Sequence, residues 1–115
     1  MTDIEWKQIT PEISEVWQKA FDFSKKGMDV DNPCPVCGKF DLHRWYLTGE
    51  PLSKIIEGNR FIAQGELWEW CSSCGTFQHY SGMVPDWWTC DLDVDLKELV
   101  FTPDAIEEAR RKRFG

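Results

Sequence analysis

Four of the five cysteines occur as two identically spaced pairs, and a glycine follows each pair. The pairs lie in the segments CPVCG at 34–38 and CSSCG at 71–75. Two residues between the cysteines allow one tight turn to direct both sulfur atoms at a metal ion, and glycine tolerates the positive φ angle that follows. The spacing predicts one tetrahedral site for structural Zn²⁺, bound by Cys34, Cys37, Cys71 and Cys74. Because four thiolates leave no position for water, we do not expect this metal to catalyse hydrolysis.

Disulfides and a rubredoxin-like iron site are the two other interpretations of the paired cysteines. The first 15 residues are polar and acidic and lack the apolar run of a secretory signal. No segment approaches the roughly 20 apolar residues of a membrane span. We therefore expect a cytoplasmic protein, whose reducing surroundings favour thiolate ligands over disulfides. Iron remains the main rival to zinc, and the colour of the pure protein would distinguish the two metals.

The sequence predicts a single α+β domain over residues 1–115, built around an elaborated zinc ribbon. In this fold an antiparallel β-sheet carries the two CxxCG knuckles, and an N-terminal and a C-terminal helix flank the sheet. The predicted parts are a helix at 10–27, the ribbon at 34–80, an acidic strand segment at 81–101 and a helix at 102–114.

Two kinds of local pattern support these parts. Apolar residues recur at helical spacing after Thr10, with Pro11 at the first helical position and Gly27 as a stop. Aromatic and β-branched residues cluster between and after the cysteine pairs, which is typical of strands. We expect strands at 42–47, 60–63, 66–70 and 76–80, with a loop at 48–59.

Negative charge is concentrated after the predicted ribbon. Residues 81–109 contain eight acidic residues and one basic residue, and the whole chain has a formal net charge of −7. Asp91, Asp93 and Asp95 alternate with aliphatic residues, a pattern that places all three on one face of a strand. An EF-hand is not expected, because Leu96 occupies the position of its invariant glycine. The predicted partner-binding residues are Asp86, Trp87, Trp88, Asp91, Asp93 and Asp95.

The sequence carries few signals for catalysis. His43 and His79 are the only histidines, no serine lies in a nucleophile-elbow motif, and no glycine-rich phosphate loop is present. We expect both histidines to be hydrogen-bonded strand residues, because four cysteines already suffice for one metal site. Cys90 is expected to be a buried small residue, with a nucleophile as the alternative. We therefore predict a non-enzymatic protein.

Nucleic-acid binding is an alternative function with some support. Two arginines lie among aromatic residues that could form a platform for stacking bases. A chain of net charge −7 repels phosphate, however, unless its basic groups cluster on one face. The residues of this candidate platform are Arg44, Arg60, Trp45, Tyr46, Phe61, Trp68 and Trp70.

The segment GELWEWCSSCG at 65–75, with its continuation through Phe77, 79–82 and PDWW at 85–88, resembles a known class of protein. It is similar to small bacterial immunity proteins of contact-dependent inhibition and related polymorphic toxin systems. The similarity spans roughly residues 34–90. It implies an inhibitor that binds and neutralises a cognate toxin domain, with acidic residues as phosphate mimics if that toxin is a nuclease. The alternative is a zinc-ribbon module that docks on nucleic acid or on a transcription or translation complex.

Overall fold

A five-stranded sheet forms the centre of the fold in a computed structural model, which describes residues 4–21, 27–90 and 92–114. Its spatial order is β1-β5-β4-β3-β2. Strand β1 is parallel to β5, and the other neighbours pair antiparallel. The strands are β1 (Lys7–Gln8), β2 (Asp29–Val30), β3 (Leu42–Ile56), β4 (Asn59–Cys71) and β5 (Thr76–Pro85).

Two α-helices accompany the sheet, so the predicted α+β class is confirmed. Helix α1 spans Ser14–Ala20 and follows a 3₁₀ turn at Pro11–Ile13. Helix α2 spans Asp104–Phe114, and a further 3₁₀ turn lies at Leu96–Glu98. The N-terminal helix was predicted to continue to residue 27, but residues 22–26 lie outside the described part of the chain.

The predicted loop at 48–59 is wrong, because β3 and β4 form one long hairpin. The strands continue until Ile56 pairs with Asn59, and they meet at a two-residue turn. That turn has positive φ at Glu57 (52°) and Gly58 (82°), the backbone that suits tight hairpins. Pro51 lies at a bulge within β3, beyond the two residues that pair with β2, so its missing N–H is tolerated there.

The sheet is buried on both faces where the hairpin begins. On one face, Leu42 packs with Trp17 of α1 in a cluster that also contains two of the paired cysteines. On the other face, Trp45 and Trp68 pack with Ile106 of α2. Successive residues of a strand point to opposite faces of the sheet, so alternate side chains pack against the element that covers each face. The two helices therefore lie against opposite faces of the sheet.

The predicted acidic strand segment at 81–101 is correct only in its first part, because β5 continues to Pro85 and the strand expected around Asp93 and Asp95 does not form. No described residue between 92 and 101 pairs with the sheet, and Asp95 instead caps a 3₁₀ turn by accepting a hydrogen bond from the Lys97 backbone N–H at 3.0 Å. Asp91 lies outside the described residues. Tertiary contacts replace strand pairing in this segment, because indole N–H groups of the sheet bind its backbone carbonyls. We call residues 92–101 the acidic segment.

Candidate metal centre

The sulfur atoms of the four paired cysteines lie close together, where the turn at 34–38 meets the turn at 71–75. All four sulfur atoms lie within 4.8 Å of one another. The Sγ atoms of Cys34 and Cys74 are 3.8 Å apart, and those of Cys37 and Cys71 are 3.7 Å apart. These separations are far longer than a disulfide bond of about 2.0 Å, and all five cysteines are free thiols.

Each cysteine pair is held by a tight turn that ends at a glycine. The backbone N–H of Gly38 donates to the Cys34 carbonyl at 2.8 Å, and that of Gly75 donates to the Cys71 carbonyl at 3.0 Å. The φ angles are 79° at Gly38 and 80° at Gly75. The positive φ predicted from the sequence is therefore confirmed at both glycines.

Strand register brings the two turns together although 33 residues separate Cys37 from Cys71. Leu42, at the start of β3, pairs with Cys71, at the end of β4. The Ser72 backbone N–H then donates to the Asp41 carbonyl at 3.0 Å, which continues the pairing past the strand ends. The long hairpin therefore returns the chain to the first cysteine turn.

The thiols differ in their surroundings. Cys34 and Cys71 are buried in the cluster around Trp17, whereas Cys37 is exposed. Burial raises the pKa of Cys34 and of Cys71. Burial acts in the same direction at Cys74, but hydrogen bonds, led by one to Thr76 with its Oγ1 3.2 Å from the sulfur, outweigh it and lower the pKa of Cys74.

The sulfur positions fit a single four-coordinate metal ion. Sulfur atoms at about 2.3 Å from a central zinc ion define a tetrahedron with edges of about 3.8 Å. The separations of 3.8 Å and 3.7 Å match that edge, and all donors are thiols. Cys34, Cys37, Cys71 and Cys74 are therefore positioned to hold a metal ion.

No protein-family model, curated protein or solved structure matches this chain. Among the described residues, none of the helices combines the length and apolar character needed to cross a membrane.

A buried carboxylate supports the second cysteine turn from α2. Glu107 is fully buried and accepts hydrogen bonds from Ser72, which lies between Cys71 and Cys74, and from Trp70 Nε1 at 3.0 Å. Arg110 and Arg111 form ion pairs with Glu107 at 2.9 Å and 3.3 Å. The sequence analysis missed this residue, since nothing in the local pattern distinguishes it from the exposed acids nearby.

A second buried carboxyl lies on the opposite face of the sheet. Glu69 accepts hydrogen bonds from Trp17 Nε1 and from the Tyr80 hydroxyl, each at 3.1 Å. Burial raises the pKa of Glu69 to about 7, although these hydrogen bonds and the charge of Arg44 favour the ionised form. The sequence signal for the burial of Glu69 was its place in the Trp-Glu-Trp run. A strand residue between two buried aromatic residues is itself buried when both faces of the sheet are covered.

The structure separates the predicted partner-binding residues. Asp86 is exposed, and Trp87 is half-buried with its ring 6.3 Å from that of Phe61. Trp88 is only 6% exposed and lies beneath the Arg44 guanidinium, whose carbon is 4.1 Å from its ring centre. Trp88 therefore cannot serve as an exposed anchor.

The predicted aspartates at 91–95 fare differently. Asp93 and Asp95 are exposed and line a cleft of about 420 Å³ between the acidic segment and α2, whereas Asp91 lies outside the described residues. Cys90 is half-buried and packs against the cluster that contains Trp45 and Trp68. The expectation of a buried small residue is met in part, because the side chain packs against the core but is not fully covered.

The candidate stacking platform for nucleic acid is mostly in the core. Trp45, Trp68, Trp70, Phe61 and Arg44 are all buried, and Arg60 is the exposed basic member of the set. The histidines are likewise engaged within the fold. Asp29 and Asp41 hydrogen-bond the two ring nitrogens of His43, and the His79 ring stacks on Trp68 with centres 4.0 Å apart. A flat aromatic surface open to bases is therefore not formed by these residues.

Proposed function

We propose that this chain is a non-enzymatic immunity protein that binds a cognate bacterial toxin domain in the cytoplasm and neutralises it. The observation that carries the proposal is the acidic segment, which exposes carboxylates and large apolar side chains together on a folded scaffold. Exposed apolar groups beside charged ones are typical of protein-binding surfaces. The resemblance of residues 34–90 to immunity proteins is the reason for proposing a toxin domain as the partner.

The metal in this proposal is Zn²⁺, held in a zinc ribbon whose two CxxCG turns act as knuckles. All four ligands are thiolates, the donor set typical of structural zinc. Such a site is closed, so the ion stabilises the fold and takes no part in chemistry. Iron is the alternative metal for the same four cysteines. Because structural zinc contributes roughly 10–16 kcal/mol in finger peptides, the fold around Cys34 and Cys71 should depend on it.

Docking on nucleic acid is the weaker candidate. The aromatic residues that would stack on bases are buried, and the exposed surface near the sheet carries few basic groups. The net charge of −7 adds a repulsive term that grows as the salt concentration falls. A protein partner with positive charge suits the same charge distribution better.

Co-expression tests the proposal. The coding region immediately upstream of this gene is cut to its C-terminal portion and expressed in a test cell, alone, with this chain, or with an unrelated acidic protein of similar size. The proposal predicts growth arrest that this chain alone relieves. Absence of toxicity, or toxicity that this chain does not relieve, would refute the assignment to that toxin pair and return attention to docking on a larger complex.

A further inference from the structure

Three large apolar side chains lie exposed in the acidic segment. Leu96 is 59% exposed, Val100 is 53% exposed and Phe101 is 51% exposed. They fall within six consecutive residues, and the Phe101 ring also packs against the rings of Phe77 and His79, with centres 5.6 Å and 5.2 Å away. Exposed apolar surface of this kind costs solubility unless a partner covers it for part of the protein's life.

The acidic segment is held in place although it contains no strand. Trp45 Nε1 donates to the Leu92 carbonyl at 3.3 Å, near the beginning of the segment. Trp68 Nε1 donates to the carbonyls of Val100 at 3.3 Å and Phe101 at 3.2 Å, at its end. These indoles hold both ends of the acidic segment against the sheet, so its exposed side chains keep one arrangement. A surface that is already ordered loses less conformational entropy on binding.

Carboxylates surround the apolar side chains. Asp93, Asp95 and Glu98 are exposed within the segment, where Lys97 is the single basic residue. The adjoining cleft of about 420 Å³ is lined by these three acids on the side of the segment and by residues of α2 on the other side, which include Glu108, Lys112 and Arg113. The excess of negative charge therefore belongs to the segment itself, where three carboxylates face solvent beside one lysine.

We infer that the acidic segment is the docking surface of this chain, and that its occupant is a protein with a basic surface patch around an apolar pocket. Leu96, Val100 and Phe101 supply the apolar centre, and Asp93, Asp95 and Glu98 supply the acidic rim. This inference rests on the proposed function and names the surface that performs it. It keeps Asp93 and Asp95 of the six predicted partner-binding residues and moves the apolar centre from Trp87 and Trp88 to residues farther along the chain.

A second copy of the chain is a poor occupant. Two acidic segments brought together would place six exposed carboxylates against one another, and like charges across an interface oppose association. The tip of the β3–β4 hairpin also exposes apolar residues, including Ile55 at 72% exposure. Its charges are mixed, with Lys54 and Arg60 beside Glu57, so it lacks the complementarity that selects a basic partner. The hairpin therefore provides a matched control.

The test compares two double variants with the same chemical changes. Leu96→Ser with Glu98→Lys alters the acidic segment, and Ile55→Ser with Glu50→Lys alters the hairpin. The probe is the purified toxin domain from the co-expressed pair, made inactive by substitution of its own active site. Affinity and association rate are measured at low and at physiological salt. We expect the segment variant to weaken binding by about 100-fold and to slow association, and the hairpin variant to stay within about threefold of wild type.

Hydrogen exchange on the wild-type complex gives a second readout that requires no variant. Amides at 93–101 should be protected by the partner, and those at 50–62 should not. Protection confined to other residues, or equal affinities of the two folded double variants, would overturn the docking surface while leaving the immunity role intact. If wild-type chain neither binds nor rescues, the proposed function itself fails and this inference falls with it.

Discussion

Glu107 of α2 accepts a hydrogen bond from Ser72, the residue that follows Cys71 in the second cysteine turn. The same carboxylate is fully buried, accepts a hydrogen bond from Trp70 and pairs with Arg110. The C-terminal helix is thus fastened to the metal centre through one charged side chain. Metal binding and the packing of α2 should therefore stabilise each other.

Substitution of Glu107 tests this coupling. Glu107→Gln keeps the shape of the side chain but leaves Arg110 without its charge partner in a buried setting. We expect a loss of about 2–3 kcal/mol in the free energy of unfolding, measured by chemical denaturation, and faster transfer of the metal to a chelator. Glu108→Gln is the control, because the Glu108 ion pair with Lys112 is solvent-accessible and should contribute little to stability. Equal losses from both variants would contradict the coupling.

Glu69 should make stability depend on pH. Its pKa rises from an ordinary value of 4.5 to about 7 on folding, chiefly through burial. The folded state therefore holds this proton more tightly, and the resulting stabilisation is complete below pH 4.5 and is lost as pH rises through 7. Glu69→Gln, a permanently neutral replacement, should gain on the wild type across this window by an amount on the order of 3 kcal/mol.

The measurement is chemical denaturation of Glu69→Gln and wild type at several pH values. Glu66→Gln, on the same strand with a more exposed carboxylate, controls for loss of one negative charge. A difference between Glu69→Gln and wild type that stays constant with pH would show that Glu69 does not govern the effect.

The two glycines that end the cysteine turns should differ in their tolerance of alanine. Both have positive φ, 79° at Gly38 and 80° at Gly75. A Cβ at Gly38 would meet open space, whereas one at Gly75 would lie 2.4 Å from the Glu5 carbonyl oxygen. Gly38→Ala should cost about 1–2 kcal/mol of backbone strain, and Gly75→Ala at least about 2 kcal/mol more. Thermal unfolding of both variants decides, and similar losses would mean that β1 does not pack as described.

Trp68 should control the order of the acidic segment. Trp68→Phe removes the N–H that binds the carbonyls of Val100 and Phe101 while keeping an aromatic ring in the core. Amide exchange at 96–101 should accelerate by about tenfold, which corresponds to one lost hydrogen bond of about 1.4 kcal/mol. Trp17→Phe is the matched control, because its indole binds Glu69 on the other sheet face. Acceleration in both variants alike would indicate general loosening.

The cysteine cluster could be predicted from the sequence more completely than the rest of the fold. Spacing and glycine position identified four cysteines that the structure brings together, because ligand geometry is imposed by residues adjacent in the chain. The α+β class was also predictable from local patterns. By contrast, the loop expected at 48–59 was wrong, because the length of β3 is set by its pairing with β4, and Pro51 is tolerated there because β2 does not extend alongside it.

Tertiary contacts account for the other differences. Asp93 and Asp95 alternate with aliphatic residues as in a strand, but indoles from Trp45 and Trp68 satisfy the backbone of this segment, so no strand forms. Trp88 appeared suited to an exposed anchor, yet Arg44 and Tyr46 cover it from a distant strand. Such contacts join residues more than 30 positions apart, and a single sequence gives no indication of them.

The central claim is that four cysteines hold one zinc ion on which this fold depends. Native mass spectrometry with elemental analysis of the purified chain tests it most directly. We predict one zinc per chain in the wild type and in Cys90→Ser, and loss of both zinc and solubility in Cys34→Ser and Cys74→Ser. A wild-type chain that binds no metal, a coloured iron-loaded chain, or a soluble Cys74→Ser variant with full zinc content would contradict the account.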